Sequence, residues 1–334
     1  MRQLLEYILQ NKEWLFSGLG LATLSAIFWL FQQSIISFRS AKKGNIKQGY
    51  SGDIRIVGPR ASGKTVYLAA LADWHNLGNE SPVNSVEAIN QAARRLIDYS
   101  RDILANGRQL GPTHAFDPHN IPHYELYIEL IFNSYFWPVH SIFRRRIKFS
   151  VSFQDYSGEI FHEMARKNET NNYVINNFLD VCALSSKFMI IIDPLIIDDE
   201  NDLEYALAIK NYFQELENRF IRGDRSLSES RAAVVLSKCD QLEVWKHRKN
   251  IMAFFKNKFP RSYKVLQQIN AKEQCSIAYF SCSAFGMIGK PPQPNAISLR
   301  GGYAFVLKDS SSWQPFGLVA PIYWLCTGRR IRDF

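Results

Sequence analysis

The 334-residue chain carries 40 Lys and Arg against 31 Asp and Glu, a formal charge of +9, and 46% of its residues are hydrophobic. That balance supports a sizeable core, excludes wholesale disorder, and suits an anionic partner such as a membrane surface, nucleic acid or phosphorylated ligand without choosing one. Cys182, Cys239, Cys275, Cys282 and Cys326 form no Cys-x-x-Cys pair and the seven histidines no His-x-x-x-His pair, so neither a disulfide framework nor a zinc site is expected.

After a short segment (1–13), residues 14–38 contain no charge, and Trp14 to Phe31 is almost continuously apolar. About 20 apolar residues suffice for a helix to cross the hydrocarbon core. The run is therefore expected to be a single transmembrane helix, with Trp14 and Trp29 near its ends where indole rings favour the headgroup layer. Arg39, Lys42, Lys43 and Lys47 follow it, whereas Arg2 and Lys12 before it are offset by Glu6 and Glu13. The positive-inside rule then puts the carboxyl-terminal side in the cytoplasm, as a single-pass inner-membrane protein. A cleaved signal peptide would carry its charge before the apolar run. Gly18, Ala22 and Ala26 share one helix face and would let two such helices pack as a homodimer.

Residues 39–52 read as a basic linker, and 53–334 as a single folded domain. Asp53 to Val57 is a short strand; a helix follows over Lys64 to His75, and a second is expected over Val86 to Asn106. Tyr124 to Phe132 alternates as a strand, and Ile147 to Gln154 does so more plainly, with Ile147, Phe149, Val151 and Phe153 on one face. Arg144, Arg145, Arg146 and Lys148 are expected on or beside the turn between them. The runs Lys187 to Ile192, Ala232 to Leu236 and Ile277 to Cys282 have buried-strand character. Helices are expected between them, over Val174 to Leu184, Leu203 to Ile221 and Leu242 to Phe259. Strands alternating with helices predict an α/β fold: a doubly wound, mostly parallel sheet, with one hairpin at 124–154 supplying an antiparallel edge strand.

Gly58-Pro59-Arg60-Ala61-Ser62-Gly63-Lys64-Thr65 matches G-x-x-x-x-G-K-[ST] in full, between a strand and a helix. Its glycines let successive backbone N–H groups turn inward onto phosphate oxygens, and the helix adds the positive end of its dipole. Lys64 would reach the β- and γ-phosphates, and the Thr65 hydroxyl would ligate Mg²⁺. Asp155-Tyr-Ser-Gly158 ends the strand closing at Gln154: a carboxylate there can hold the Mg²⁺ shell, and the Gly158 amide can contact a γ-phosphate and release it after hydrolysis. Ser237-Lys238-Cys239-Asp240 follows another strand. Its carboxylate can accept from both N1–H and the 2-amino group of guanine, a match adenine does not offer, while the Lys238 stem can cover the base. Ser281-Cys-Ser283-Ala284 ends the last hydrophobic strand, where a backbone N–H could meet guanine O6.

Taken in order, these motifs resemble those of the TRAFAC class of P-loop GTPases over roughly residues 53–290. The variants Gly58-Pro-Arg-Ala-Ser-Gly, Asp155-Tyr-Ser-Gly-Glu159 and Ile-Ile-Asp193-Pro194, with Trp313-x-Pro315 and Pro321-x-x-Trp324-Leu325, are most similar to the bacterial double-GTPase (DO-GTPase) families of conflict systems. The resemblance implies a P-loop NTPase fold whose residues after 300 pack as a closing helix, GTP or GDP with Mg²⁺, and Thr113 as a switch threonine on the metal. Its pattern is departed from at Ser237, where Asn or Thr is usual, and at Glu159, where many small GTPases carry the Gln that orients water.

Two other readings compete. A P-loop ATPase would use Asp193 as its Walker B carboxylate, although Pro194 follows where a second acid is usual. A non-hydrolysing scaffold would merely hold nucleotide. Only overall charge speaks for nucleic acid, and none is expected as a partner.

Overall fold

The computed structural model describes residues 48–108, 122–133, 144–156, 158–166, 173–195, 199–272, 275–299 and 304–331. The apolar run 14–38 with Gly18, Ala22 and Ala26, and the candidate switch residue Thr113, lie outside the described residues. Among the described residues no helix is long and apolar enough to cross a membrane.

A seven-stranded sheet organises the described chain, in the order β2-β3-β4-β1-β5-β6-β7. Its strands are β1 (Gln48–Val57), β2 (Val83–Ala88), β3 (His123–Asn133), β4 (Arg144–Asp155), β5 (Lys187–Ile192), β6 (Arg231–Leu236) and β7 (Ser276–Ser281). β1, β5, β6 and β7 pair in parallel, whereas β2 with β3 and β3 with β4 pair antiparallel. The first strand starts at Gln48, inside the stretch read as linker. The 124–154 hairpin is real but is not the edge of the sheet, because β2 pairs outside it, Val86 opposite Ile128.

Val86 to Ala88 therefore belongs to a strand and not to the helix expected over 86–106. That helix, α2 (Gln91–Asn106), follows α1 (Lys64–Asp73) and starts where the Asn90 side chain accepts from the Ala93 amide at 2.8 Å. An N-cap of this kind satisfies one of the four amide donors a helix start leaves orphaned. Arg144, Arg145 and Arg146 also differ from expectation: they lie within β4, in register with Asn133, Phe132 and Ile131, and Lys148 opposes Glu129. The hairpin extends farther than its apolar alternation, because the ladder needs only backbone groups.

Period-two alternation distributes the core over two faces. From β5 and β6, Phe188, Ile190, Ile192, Ala232, Val234 and Leu236 face one helical layer. That layer is built from α3 (Gly158–Ala165), α4 (Tyr173–Cys182), α5 (Asp199–Arg222), α6 (Leu242–Trp245), α7 (Ile251–Lys258) and α8 (Pro260–Ala271). Met189, Ile191, Ala233 and Val235 face the other, made by α1, α2 and α9 (Val319–Thr327). Ile147, Phe149, Val151 and Phe153 all join that second core, as their alternation predicts. Each such side chain removed from water contributes about 1.5–3 kcal/mol.

The expected helix 242–259 is broken into α6 and α7, with a 3₁₀ turn at Arg248–Asn250 between them. After Phe259 the chain restarts as α8, Pro260 at its first turn. Asp202, buried in α5, receives the Arg261 and Ser262 amides at 2.9 and 3.1 Å, so the new helix is capped from a distant element. Two short ribbons complete the described chain, β8 (Met287–Ile288) with β9 (Gln293–Pro294) and β10 (Ala296–Leu299) with β11 (Ala304–Leu307).

Candidate functional site

Gly58 to Gly63 connects β1 to α1 at the carboxyl edge of the sheet. Gly58 has φ 152° and runs against β5 so closely that a Cβ there would lie 2.1 Å from the Ile191 carbonyl oxygen. Only glycine fits both demands. Ala61 adopts φ 60° without being glycine, which bends the loop further. Pro59 is buried and Arg60 exposed, and the Ser62 hydroxyl is buried without a hydrogen-bond partner among the described residues.

The Lys64 side chain turns back along the loop, its Nζ donating to the carbonyl oxygens of Gly58 at 3.0 Å and Pro59 at 2.9 Å. Burial pushes its pKa below the ordinary lysine range, an effect opposed by the charge of Asp155. Thr65 follows on the first turn of α1, and its Oγ1 donates to Asp155 Oδ2 at 2.7 Å. Asp155 ends β4 and is buried, which raises its pKa, with the Lys64 charge and the Thr65 hydrogen bond opposing. β4 therefore brings to the loop the carboxylate that sequence reasoning assigned to the metal.

Beyond Asp155, Tyr156 is buried edge-on against Phe178 of α4, ring centroids 4.5 Å apart, and its hydroxyl donates to Gln154. Gly158 then starts α3 directly against the phosphate loop: a Cβ there would lie 2.1 Å from Arg60 N and 2.6 Å from the Pro59 carbonyl carbon. Arg60 and Glu159 meet at 3.8 Å with both side chains exposed, a pairing that contributes little to stability.

The second half of the site joins the ends of β6 and β7. The Ser237 amide and hydroxyl both donate to the Ile192 carbonyl oxygen, at 2.9 and 3.1 Å, so this serine fastens its loop to β5. Lys238 has φ 51°. The Cys239 amide donates to the Cys282 carbonyl at 3.0 Å, tying the two loops together. Asp240 is 1% exposed; its Oδ1 accepts from Ser283 Oγ at 2.6 Å and its Oδ2 from Gln241 Nε2 at 3.3 Å. Burial raises the Asp240 pKa, with these hydrogen bonds opposing. Ser283 Oγ in turn accepts from the Gly286 amide at 2.8 Å, which aims its own proton at Asp240. Gly63 and Ser237 are neighbours, a Cβ on the glycine falling 4.0 Å from the serine Cβ, so the Gly58–Gly63 loop and the Ser237–Asp240 loop lie side by side.

Two contacts escaped the sequence. Trp313 is buried and its indole N–H donates to the Ala284 carbonyl at 2.7 Å, so a residue 29 positions later holds the Ser283-Ala284 turn. Asp193, the Walker B candidate of the ATPase reading, is engaged by partners other than Thr65. Its Oδ1 accepts from the Leu195 amide at 2.9 Å, and its Oδ2 accepts from Lys238 Nζ. Among the described residues no three His, Cys, Asp or Glu side chains gather as a metal cage.

No protein-family model and no curated protein matches the chain. Among solved structures, it is similar to the GTPase-like domain of Saccharomyces cerevisiae Ski7 bound to GDP and inorganic phosphate, at 12% identity and a TM-score of 0.34 over 75% of this chain. The match spans 45% of the Ski7 chain, less than half its length. It is also similar to a Plasmodium falciparum protein described as nucleolar GTP-binding protein 1, at 13% identity and a TM-score of 0.28, over 71% of this chain and 79% of that one. Similarities at this level assign neither family nor activity.

Proposed function

We propose that this chain binds GTP and GDP along the edge formed by Gly58–Thr65, Ser237–Asp240 and Ser283–Ala284, and hydrolyses GTP with Mg²⁺ as a nucleotide-dependent switch. The observation that carries the reading is Asp240. A buried carboxylate has about four acceptor sites, and among the described residues this one is met by the Ser283 hydroxyl, a long contact from Gln241 and its own backbone amide. The N1–H and 2-amino group of guanine are donors that such a carboxylate can accept, the long Gln241 contact being the one most readily exchanged, whereas adenine offers an acceptor at N1. The Ser283 turn, braced by Trp313, fixes the direction in which that carboxylate can accept.

A divalent cation fits the donor set beside the phosphate loop. Thr65 and Asp155 offer one hydroxyl and one carboxylate, the sparse oxygen set with which proteins hold Mg²⁺ jointly with phosphates and water. When bound, the ion would neutralise charge on the β- and γ-phosphates. Lys64 would exchange its two carbonyl acceptors for phosphate oxygens, and the Gly158 amide would sense the γ-phosphate.

The ATPase reading is disfavoured by Asp193, whose oxygens serve Lys238 and Leu195 while Asp155 occupies the place beside Thr65. In the proposed switch, GTP orders the segments at Thr113 and Gly158 and hydrolysis releases them. The uncharged run 14–38 and the basic residues after it support a tether that leaves the nucleotide domain in the cytoplasm. The motif variants quoted above support a role in a bacterial conflict or signalling system with a protein effector, and the spacing of Gly18, Ala22 and Ala26 supports pairing of two copies through the anchor. Calorimetric titration of full-length protein in mild detergent, with GDP and ADP in magnesium buffer, tests the core of the proposal. GDP is expected to bind more tightly, and Asp240→Asn to erase the difference. Equal affinities in the wild type would remove the guanine assignment, and no binding of either would remove the whole proposal. Single-turnover phosphate release, with Lys64→Ala as the control, separates an enzyme from a scaffold.

A further inference from the structure

We infer that Asp193 and Phe305 are positioning residues for the purine site, clamping the Lys238 ammonium so that its methylene stem forms one wall of the base pocket. The inference rests on the guanine-nucleotide reading above and concerns residues that the phosphate-loop and base-reading motifs leave unused.

Lys238 stands in the base-reading loop two residues before Asp240. Its ammonium points back to the end of β5, where it donates to Asp193 Oδ2, and it lies 5.3 Å from the centroid of the Phe305 ring. The Asp193 side chain is 1% exposed and that of Lys238 20% exposed. The acceptor is thus shielded from solvent and fixed by the Leu195 amide on its other oxygen. Phe305 comes from β11, a ribbon strand outside the main sheet, and packs partly buried against the core. The backbone is fixed as well: Lys238 holds φ 51°, and its carbonyl accepts from the Gln241 amide at 3.0 Å.

A lysine in water samples many rotamers of its four-carbon stem, so a flexible one gives little to a stacking ligand. Here the stem is held at both ends. A carboxylate receives the charge, and an aromatic face, attractive to cations through its quadrupole, lies beside it. A stem fixed in this way offers a flat apolar surface to any purine, regardless of the groups on its edge. Asp240 instead reads the edge. The two functions therefore separate experimentally.

Full-length protein carrying Asp193→Asn, Asp193→Glu or Phe305→Leu is titrated with GDP, IDP and inorganic tripolyphosphate. Asp193→Asn is expected to weaken GDP and IDP equally, by about tenfold, leaving tripolyphosphate within about twofold of wild type, while Asp193→Glu restores most of the loss. Phe305→Leu should show the same pattern at smaller amplitude. Asp240→Asn should instead lower the GDP to IDP ratio. In a Lys238→Met background, Asp193→Asn should add nothing. Undiminished GDP affinity in Asp193→Asn overturns the inference while leaving the guanine reading intact. So does a parallel loss of tripolyphosphate, or an undiminished effect of Asp193→Asn in the Lys238→Met background, since either marks a merely structural role. Wild-type protein that binds tripolyphosphate but neither purine nucleotide removes both the reading and the inference.

Discussion

Gly158 is seated on Arg60: a methyl group in place of its hydrogen would lie 2.1 Å from the Arg60 nitrogen and 2.4 Å from its Cα. Neither neighbour is a flexible side-chain tip that could swing away. The turn that would sense a γ-phosphate is thus built directly against the loop that would hold it.

Gly158→Ala should therefore cost about 1–3 kcal/mol, as other overpacked sites do, and lower the thermal midpoint of the nucleotide-free protein by several degrees. GTP hydrolysis should fall more than GDP affinity, because GDP has no γ-phosphate for this turn to meet. Melting curves and phosphate release measure the two effects, and an unchanged midpoint would mean that the turn is not seated as described.

Lys64→Met keeps an apolar stem and removes the ammonium. Charge-assisted hydrogen bonds contribute roughly 1.5–3 kcal/mol each, so GDP should bind at least about tenfold more weakly. The variant also leaves the Gly58 and Pro59 carbonyls without their donor, so a modest drop in stability is expected alongside. Titration calorimetry of both proteins decides it.

Asp240 makes opposite demands on pH in the empty and the loaded protein. Burial raises its carboxyl above the ordinary 3.8, so the folded chain takes up this proton more readily than the unfolded one. Its contribution to the stability of empty protein is complete below 3.8 and is lost as pH rises through the raised value. Guanine needs the ionised carboxylate, so GDP affinity should decline as pH falls towards that raised value. Titrations carried down from neutral pH as far as the folded protein tolerates should give a declining profile in wild type and a flat one in Asp240→Asn. A flat wild-type profile would remove Asp240 from base recognition.

Thr65→Val preserves shape and deletes the hydroxyl that meets Asp155. GTP affinity measured in excess Mg²⁺ should drop by about tenfold, whereas affinity in excess chelator should change little. Equal losses in both conditions would count against Thr65 as a metal ligand.

The strand–loop–helix setting of Gly58–Thr65 was legible because its motif is written in eight consecutive residues, and the inner face of β4 because Ile147, Phe149, Val151 and Phe153 alternate against a core on one side only. β2 was not. Val86 and Ile89 fit a helical spacing as well as a strand, and what decides between them is the β3 backbone opposite, which local sequence does not contain. The break between α6 and α8 has a similar origin, since the cap on α8 is Asp202, about sixty residues earlier. Within the candidate site, Lys64, Thr65 and Asp155 were readable from motifs. The partnership of Lys238 with Asp193 and Phe305, and that of Trp313 with Ala284, depend on loops that meet only after the sheet has closed.

The Trp313 indole has a consequence for the order of events during synthesis. While residues after 300 are still inside the exit tunnel, Ala284 lacks its brace and α1, which follows the Gly58–Gly63 loop, lacks the α9 face it packs against. Under the guanine reading, phosphate grip and base discrimination would both wait for the final segment to emerge.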